Sequence, residues 1–483
     1  MTIRFPMAIF VVALAARAAL FAFNELYFSF DPYWSWQARA SLILVLSDFG
    51  AISLGHDFEI LRQMSAATAL NAWPVMDRGL AYIHMLLAAL FGSTSYQALQ
   101  IFQIAIDALL VFPVMSITYS LSRSLKTACW IGVLYGVFLP QAWLAAQPGY
   151  NVWLTTGYIL ATWSYLKITG LAAGDQRGRS LALYGAALLA VMMIVVQIRS
   201  TIIFLPLGMA AWWWATTLLT SRSLSFPRRN WPPALVLVGV GMLVIGINGA
   251  LNKVARDDAS PVRSTLGHAF WTGVGQYENP LGIQDNDGSV ARFYMAGSGV
   301  TEVDSTTGGV DYNSWLTRRA VRFVKENPAL YASMVARRAL AIVLPNMPFT
   351  LVTDKPAYDA TAMELTRTRD RIALQRQYGK LSPTTLGRLV ADDPFYVVGL
   401  FARLALMALL PLGLVLFFIF SERRALGLLA MVPLAYHVIT LSPIYVTPII
   451  LIPAYTAVLP VVGVGWALAL SKLLGRKGQA VDV

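Results

Sequence analysis

Long apolar runs broken by short basic punctuation constrain this chain more than anything else in it. Runs lie near 5–23, 97–121, 127–144, 151–168, 181–198, 201–219, 234–251, 395–420, 425–441 and 446–470. Each approaches the roughly 20 residues that carry a helix across a bilayer. Lipid offers backbone groups no hydrogen-bond partners, so an apolar run that spans must be a helix or part of a closed barrel. Composition agrees. Only 13% of the 483 residues are charged, against about 25% in soluble domains, and mean hydropathy is +0.59. The expectation is an all-α polytopic membrane protein with about ten transmembrane helices and a mixed, mainly helical extracytoplasmic domain.

Net charge is +12, and its placement reads as topology rather than nucleic-acid binding. Arg123 and Lys126, then Lys167, Arg177 and Arg179, then Arg222, Arg228 and Arg229, then Arg423 and Arg424 occupy alternate short loops, and Lys472, Arg476 and Lys477 the tail. The opposite short loops near 145–150 and 442–445 contain no Lys or Arg. This asymmetry puts the N-terminus in the cytoplasm and predicts a multi-pass protein of the cell inner (cytoplasmic) membrane. The first run, with Arg17 inside it and a poor cleavage site at Phe21-Ala22-Phe23, reads as a retained helix rather than a signal peptide. The single cysteine, Cys129, rules out a disulfide within the chain and reads as a packing residue.

Three parts follow: an N-terminal membrane module, 1–251, with a first outer loop at 24–96; an extracytoplasmic domain, 252–394; and C-terminal helices with a cytoplasmic tail, 395–483. Gly79–Phe91 is apolar but too short to span, so it reads as interfacial or re-entrant. In the outer domain Leu316, Ala320, Phe323 and Val324 recur at helix spacing, with Arg318, Arg322 and Lys325 on the other face. Pro328 opens the next helix, where Arg337 and Arg338 argue against another span. Gly239, Gly241 and Gly246 sit in an apolar run with no strand before them and read as helix-packing glycines, not a nucleotide loop.

Chemistry is sought first among charges inside apolar runs. Arg17, Asp107 and Arg403 each cost a few kcal/mol in lipid unless paired or wetted. Two readings fit the first two: a structural Arg17–Asp107 pair, or a wet outer cavity. Arg403 has no carboxylate at its depth and reads as a contact for an anionic ligand. Arg199, where a run emerges before Ser200 and Thr201, reads as an interfacial arginine or a phosphate contact. In the first outer loop Asp57 opens an amphipathic helix; an acid there caps the helix, and it can also serve as a general base toward a hydroxyl. Asp57 and Glu59 point to different sides of a helix and make a poor metal clamp together.

The first outer loop resembles that of the glycosyltransferase C superfamily. The likeness rests on Asp57 at a helix start, Arg78 followed by Tyr82, a short apolar stretch ending Phe91-Gly92, and a full span after it. The members most similar in layout are transferases that use polyprenyl-phosphate sugars, such as protein O-mannosyltransferases and lipid A aminoarabinose transferases. His268 through Gly282 looks like a segment of bacterial members, Tyr312 through Pro345 like their outer helix pair, and Ser442-Pro443-Ile444-Tyr445 with Pro448 and Pro453 like their last outer loop. The resemblance implies an inverting glycosyltransferase moving a sugar from a polyprenyl-phosphate carrier to a hydroxyl of a lipid, glycan or protein acceptor, at a site facing the periplasm or exterior. It makes Asp57 catalytic and Arg78 and Tyr82 donor contacts; Glu59, Arg199, Arg337, Arg338 and Arg403 are further candidates for substrate binding. The chain departs from the pattern in Gly79-Leu80 in place of two prolines, Phe58 between the two acids, and Ile444 in place of an arginine. No cofactor is specified, and a divalent metal is left open. Two other readings share the layout: an O-antigen polymerase or ligase acting on lipid diphosphates, and a transporter of lipid-linked substrates.

Overall fold

The computed structural model describes residues 4–27, 83, 86–87, 96–146, 151–170, 177–221, 231–256, 266–285, 287–300, 310–344, 394–446 and 448–474. Among them every regular element is helical. In chain order these are α1 (Arg4–Tyr27), α2 (Tyr96–Leu109), α3 (Val111–Ser122), α4 (Leu125–Gly136), α5 (Leu139–Ala145), α6 (Asn151–Gly170), α7 (Arg177–Ile198), α8 (Leu205–Ser221) and α9 (Trp231–Arg256). There follow α10 (Leu266–Val274), α11 (Asp287–Ser298), α12 (Val310–Glu326), α13 (Pro328–Val343), α14 (Pro394–Phe420), α15 (Arg424–Ala430), α16 (Val432–Leu441) and α17 (Pro448–Leu473).

Six helices among the described residues are long and apolar enough to cross a membrane, or up to eight if each of two bent pairs forms one span. The chain therefore has the character of a multi-pass membrane protein, with fewer candidate spans than the ten expected. Two expected runs fall short. The run at 151–168 forms α6, but it is diluted by Asn151, Thr155, Thr156, Thr162 and Ser164, all buried against other helices. A helix walled in by protein has no need of a wholly apolar surface. The run at 395–420 lies in α14, whose described apolar part, Leu404–Phe420, is short.

Helix α17 is central: 83% of its apolar window is buried, and it packs on α3, α4, α6, α14 and α16. Its approach to α14 is glycine-dependent. A Cβ at Gly465 would stand 2.0 Å from the Gly413 carbonyl oxygen, so a side chain there would force the helices apart. Of the three glycines expected to pack, Gly241 lies against Leu207, while Gly239 and Gly246 meet nothing within 4 Å. Among the described residues those two fall on a face of α9 without a helix neighbour, which spacing alone does not show. Cys129 lies partly buried against the core.

Two pairs of apolar helices are sharply bent, and the sequence explains one bend in detail. Helices α4 and α5 meet at 53°. Pro140 has no N–H, so the Gly136 carbonyl loses its donor four residues on. Arg17 Nη1 supplies the missing hydrogen bond at 2.8 Å. An orphaned carbonyl in the bundle interior is thus satisfied by a side chain from another helix.

Within the stretch expected to form the extracytoplasmic domain, the described helices between 266 and 344 form a polar domain with a second core. Helices α10, α11, α12 and α13 close over Phe270, Trp271, Val274, Leu316, Phe323 and Met334. The amphipathic reading of α12 holds: Leu316, Ala320 and Phe323 are buried, and Arg318, Arg322 and Lys325 are exposed. Pro328 does open the helix that follows.

Candidate functional site

Two arrangements of buried charge stand out, and they differ in whether the charge is neutralised. The first is an Arg17–Asp107 ion pair, both residues 0% exposed. Arg17 also donates to the Ala13 and Gly136 carbonyls, and its guanidinium carbon lies 5.0 Å from the Tyr135 ring centroid. Asp107 Oδ1 accepts from the Tyr135 hydroxyl at 2.9 Å and from Gln141 Nε2 at 2.6 Å. Gln141 Oε1 in turn accepts from Thr155 and Thr456. The network binds α1, α2, α4, α5, α6 and α17 together. Of the two readings of these charges, the structure shows the pair: acid and base close on each other without water-exposed surface. Sequence reasoning missed Tyr135 and Gln141, although a polar Gln141 inside an apolar run was the available sign.

The second arrangement is where the polar domain meets the bundle, around the segment 442–446 that follows α16. Arg338, on α13, is 1% exposed. Its Nη1 donates to the Ser442 carbonyl at 3.1 Å and its Nη2 to the Gly273 carbonyl at 2.6 Å. Its Nε has no hydrogen-bond partner among the described residues. Its guanidinium carbon stands 5.5 Å from the Tyr277 ring centroid, and that of exposed Arg337 stands 5.8 Å from the same ring. Around them Tyr331 donates to the Pro443 carbonyl at 2.8 Å and Gln276 Nε2 to the Val446 carbonyl at 2.7 Å. From α17, Tyr455 donates to the Ile342 and Val343 carbonyls, which the end of α13 would leave orphaned.

The electrostatics of this junction are one-sided. Among the described residues the sole ion pair within 4.0 Å is Arg17–Asp107, so Arg338 is a buried cation without a paired carboxylate. Burial pushes its guanidinium below the usual value, opposed by Tyr277, Tyr331 and the charge of Asp285. Burial raises the Tyr277 hydroxyl, opposed by Arg338 and then Arg337. A desolvated, partly unsatisfied guanidinium is costly unless an anion joins it.

Glycine is required where α10 meets this segment. A Cβ on Gly273 would lie 1.9 Å from the Ile444 carbonyl oxygen and 3.2 Å from Arg338 Nη2. A Gly273→Ala protein is expected to lose about 1–3 kcal/mol by forcing the two backbones apart. Thermal unfolding of the purified protein, with limited proteolysis reporting release of the domain, measures it; an unchanged midpoint would refute the close approach.

Arg199 lies elsewhere, at the turn that follows α7. It is half-buried, in extended backbone between α7 and the 3₁₀ turn Ser200–Ile202. Its charge reaches the Tyr158 hydroxyl, which is 3.0 Å from His437 Nδ1. Tyr436 donates to the Thr201 carbonyl, tying α16 to the same turn. Asp57, Glu59, Arg78 and Tyr82 lie outside the described residues, as does most of Gly79–Phe91. Arg403 falls within α14, and its side chain is likewise outside the described residues. The structure therefore brings Arg337 and Arg338 together, and places Arg199 apart from them, at the turn after α7. Tyr277, Gln276, Gly273, Tyr331 and Tyr455 were not among the residues singled out from the sequence. Arg338 itself could have been ranked higher, because it continues the stripe Met334–Ile342 at four-residue spacing, and both flanking residues are buried.

Comparisons with protein-family models, with curated proteins and with solved structures give no match for this chain. The fold and the site define a multi-pass helical membrane protein with a helical polar domain clamped on one inter-helix segment through a buried arginine.

Proposed function

We propose that this protein is an inverting membrane glycosyltransferase that moves a sugar from a polyprenyl-phosphate carrier to an acceptor hydroxyl at the outer membrane face. One observation supports it above the rest: Arg338, a buried guanidinium with no paired carboxylate among the described residues, sits where three separate segments meet. Those segments, 268–282, 312–345 and 442–446, are the ones whose sequences resemble the outer elements of the glycosyltransferase C superfamily, and Arg338 or its neighbours bond each to the next.

The chemistry follows from charge. In the reaction the acceptor oxygen attacks the anomeric carbon opposite the phosphate, the carbon–oxygen bond to phosphate breaks, and the bonding pair leaves with the polyprenyl phosphate. Configuration inverts. Asp57 takes the proton of the attacking hydroxyl. Guanidinium groups stabilise the charge that grows on the leaving phosphate; Arg338 and Arg337 fill that role here, with Arg78, Arg199 and Arg403 as further contacts. Such a donor suits an outward-facing site, because soluble activated sugars are made in the cytoplasm and reach the far face attached to a lipid.

The test is a transfer assay with purified protein. Polyprenyl-monophosphate sugars carrying a label are expected to lose it to acceptor, while diphosphate-linked glycans are not consumed. Arg338→Gln is expected to slow transfer by about 10²–10³-fold, the range seen on removing one preorganised charge-stabilising donor. Consumption of diphosphate-linked glycans alone would overturn the assignment in favour of a polymerase or ligase. Vectorial movement of intact lipid-linked sugar without bond cleavage would overturn it in favour of a transporter.

A further inference from the structure

The end of the bundle away from the polar domain carries a second cationic arrangement. Between α3 and α4 stand only Arg123 and Ser124. Arg123 has φ 55° and ψ 15°, and it is the sole non-glycine residue with positive φ among those described. Glycine takes that conformation without steric cost, whereas a residue with a side chain does not. Arg423, in the turn between α14 and α15, reaches across and donates Nη1 to the Ser120 carbonyl at 2.9 Å. The two guanidiniums come from loops about 300 residues apart in sequence, yet Arg123 is close enough to reinforce burial in pushing Arg423 below its usual value, against the charge of exposed Glu422. Arg424 donates to the Ile419 carbonyl, Lys126 is exposed, and Lys472 lies over the Phe420 ring at 4.7 Å. None of these cations is in an ion pair within 4.0 Å among the described residues. Leu125 and Ile419, both exposed and apolar, flank the arrangement.

Topology explains why this end is basic. It does not explain why Arg423 is tied to the last turn of α3, three residues before Arg123, or why Arg123 holds a backbone conformation that glycine would fill more easily. Like charges at close range are costly without a shared counter-ion, and apolar side chains beside them suit acyl chains. We propose that Arg123 and Arg423 clasp the phosphate of an anionic phospholipid at the basic end of the bundle, Arg424 and Lys126 adding charge and Leu125 and Ile419 meeting its chains.

The test uses the full-length protein in non-ionic detergent, titrated with phosphatidylglycerol, phosphatidylcholine or inorganic phosphate, and read by thermal shift and native mass spectrometry. Phosphatidylglycerol is expected to stabilise the protein and remain bound; phosphatidylcholine and inorganic phosphate are not. Arg123→Gly relieves the backbone, so it keeps the fold, and it is expected to weaken phosphatidylglycerol binding about fivefold. Arg423→Gln is expected to do the same, and Arg322→Gln, on the exposed face of α12, to have no effect. Unaltered phosphatidylglycerol affinity in Arg123→Gly would overturn the proposal. So would equal stabilisation by phosphatidylcholine, or by inorganic phosphate, or an equal loss in Arg322→Gln. No outcome depends on sugar transfer.

Discussion

Asp107→Ala is expected to cost about 3–5 kcal/mol of stability, because it leaves the Arg17 guanidinium buried without its anion. The loss exceeds that of a neutral hydrogen bond, about 1 kcal/mol, for a reason visible in the packing. Asp107 is the acceptor for Arg17, Tyr135 and Gln141 at once; its removal strands Arg17 Nε and the Gln141 amide in a closed interior, while Tyr135 keeps the residue-107 backbone carbonyl at 2.9 Å. Arg17→Met is expected to be similarly damaging, since it strands the carboxylate and also the Gly136 carbonyl that Pro140 cannot serve. Arg17→Lys is expected to fall between, because an ammonium keeps the charge but lacks the planar fork that reaches Asp107 and two carbonyls together. Replacing both charged residues by leucine is expected to be less harmful than either single change, as removing a buried pair outright leaves no orphan charge. Thermal unfolding of the four variants in one detergent measures the series. Single variants as stable as the parent would show that the pair contributes nothing, and a double variant worse than both singles would contradict the electrostatic explanation.

Asp57→Ala is expected to lower sugar transfer by about 10²–10⁴-fold, the usual contribution of a general base. The expectation rests on one carboxylate sufficing to take the acceptor proton while arginines attend to the leaving group, so the two functions fail separately. Asp57→Asn keeps the size and helix-start preference but cannot accept the proton, and its rate is expected to match that of Asp57→Ala. Donor binding is expected to persist in both, because the contacts proposed for the phosphate are arginines elsewhere. Initial rates and donor affinity in the same preparations separate these effects. Full transfer activity in the purified Asp57→Ala protein would remove Asp57 from the mechanism; equal loss of donor binding would make it a binding residue.

Helix location was legible in the residues because it depends on local periodicity and apolar length. Among the described residues each of the ten expected runs lies mainly in helix, α12 buries the face its spacing marks, and Pro328 opens α13. What a helix packs against was not legible. Helix α6 can carry polar residues along its length because other helices cover it, a tertiary fact. The bend at Pro140 follows from a missing N–H, but the donor that repairs it, Arg17, lies over a hundred residues away. Arg338 reads as a surface charge when its neighbour Arg337 is also charged; its burial follows from the 442–446 segment folding over α13. The candidate site was thus legible in the kinds of residue it uses, and the anchoring of Arg338 by two carbonyls and one tyrosine face was not.

The account turns on an anionic lipid head group completing the charge at the junction. The most direct measurement is a structure of the purified protein with a polyprenyl monophosphate bound. The account predicts phosphate density at the polar-domain junction, within hydrogen-bond distance of Arg338 or Arg337 and on the same side of the bundle as the 442–446 segment. Phosphate held at the opposite, basic end, with Arg338 and Arg337 both distant from it, would contradict the account.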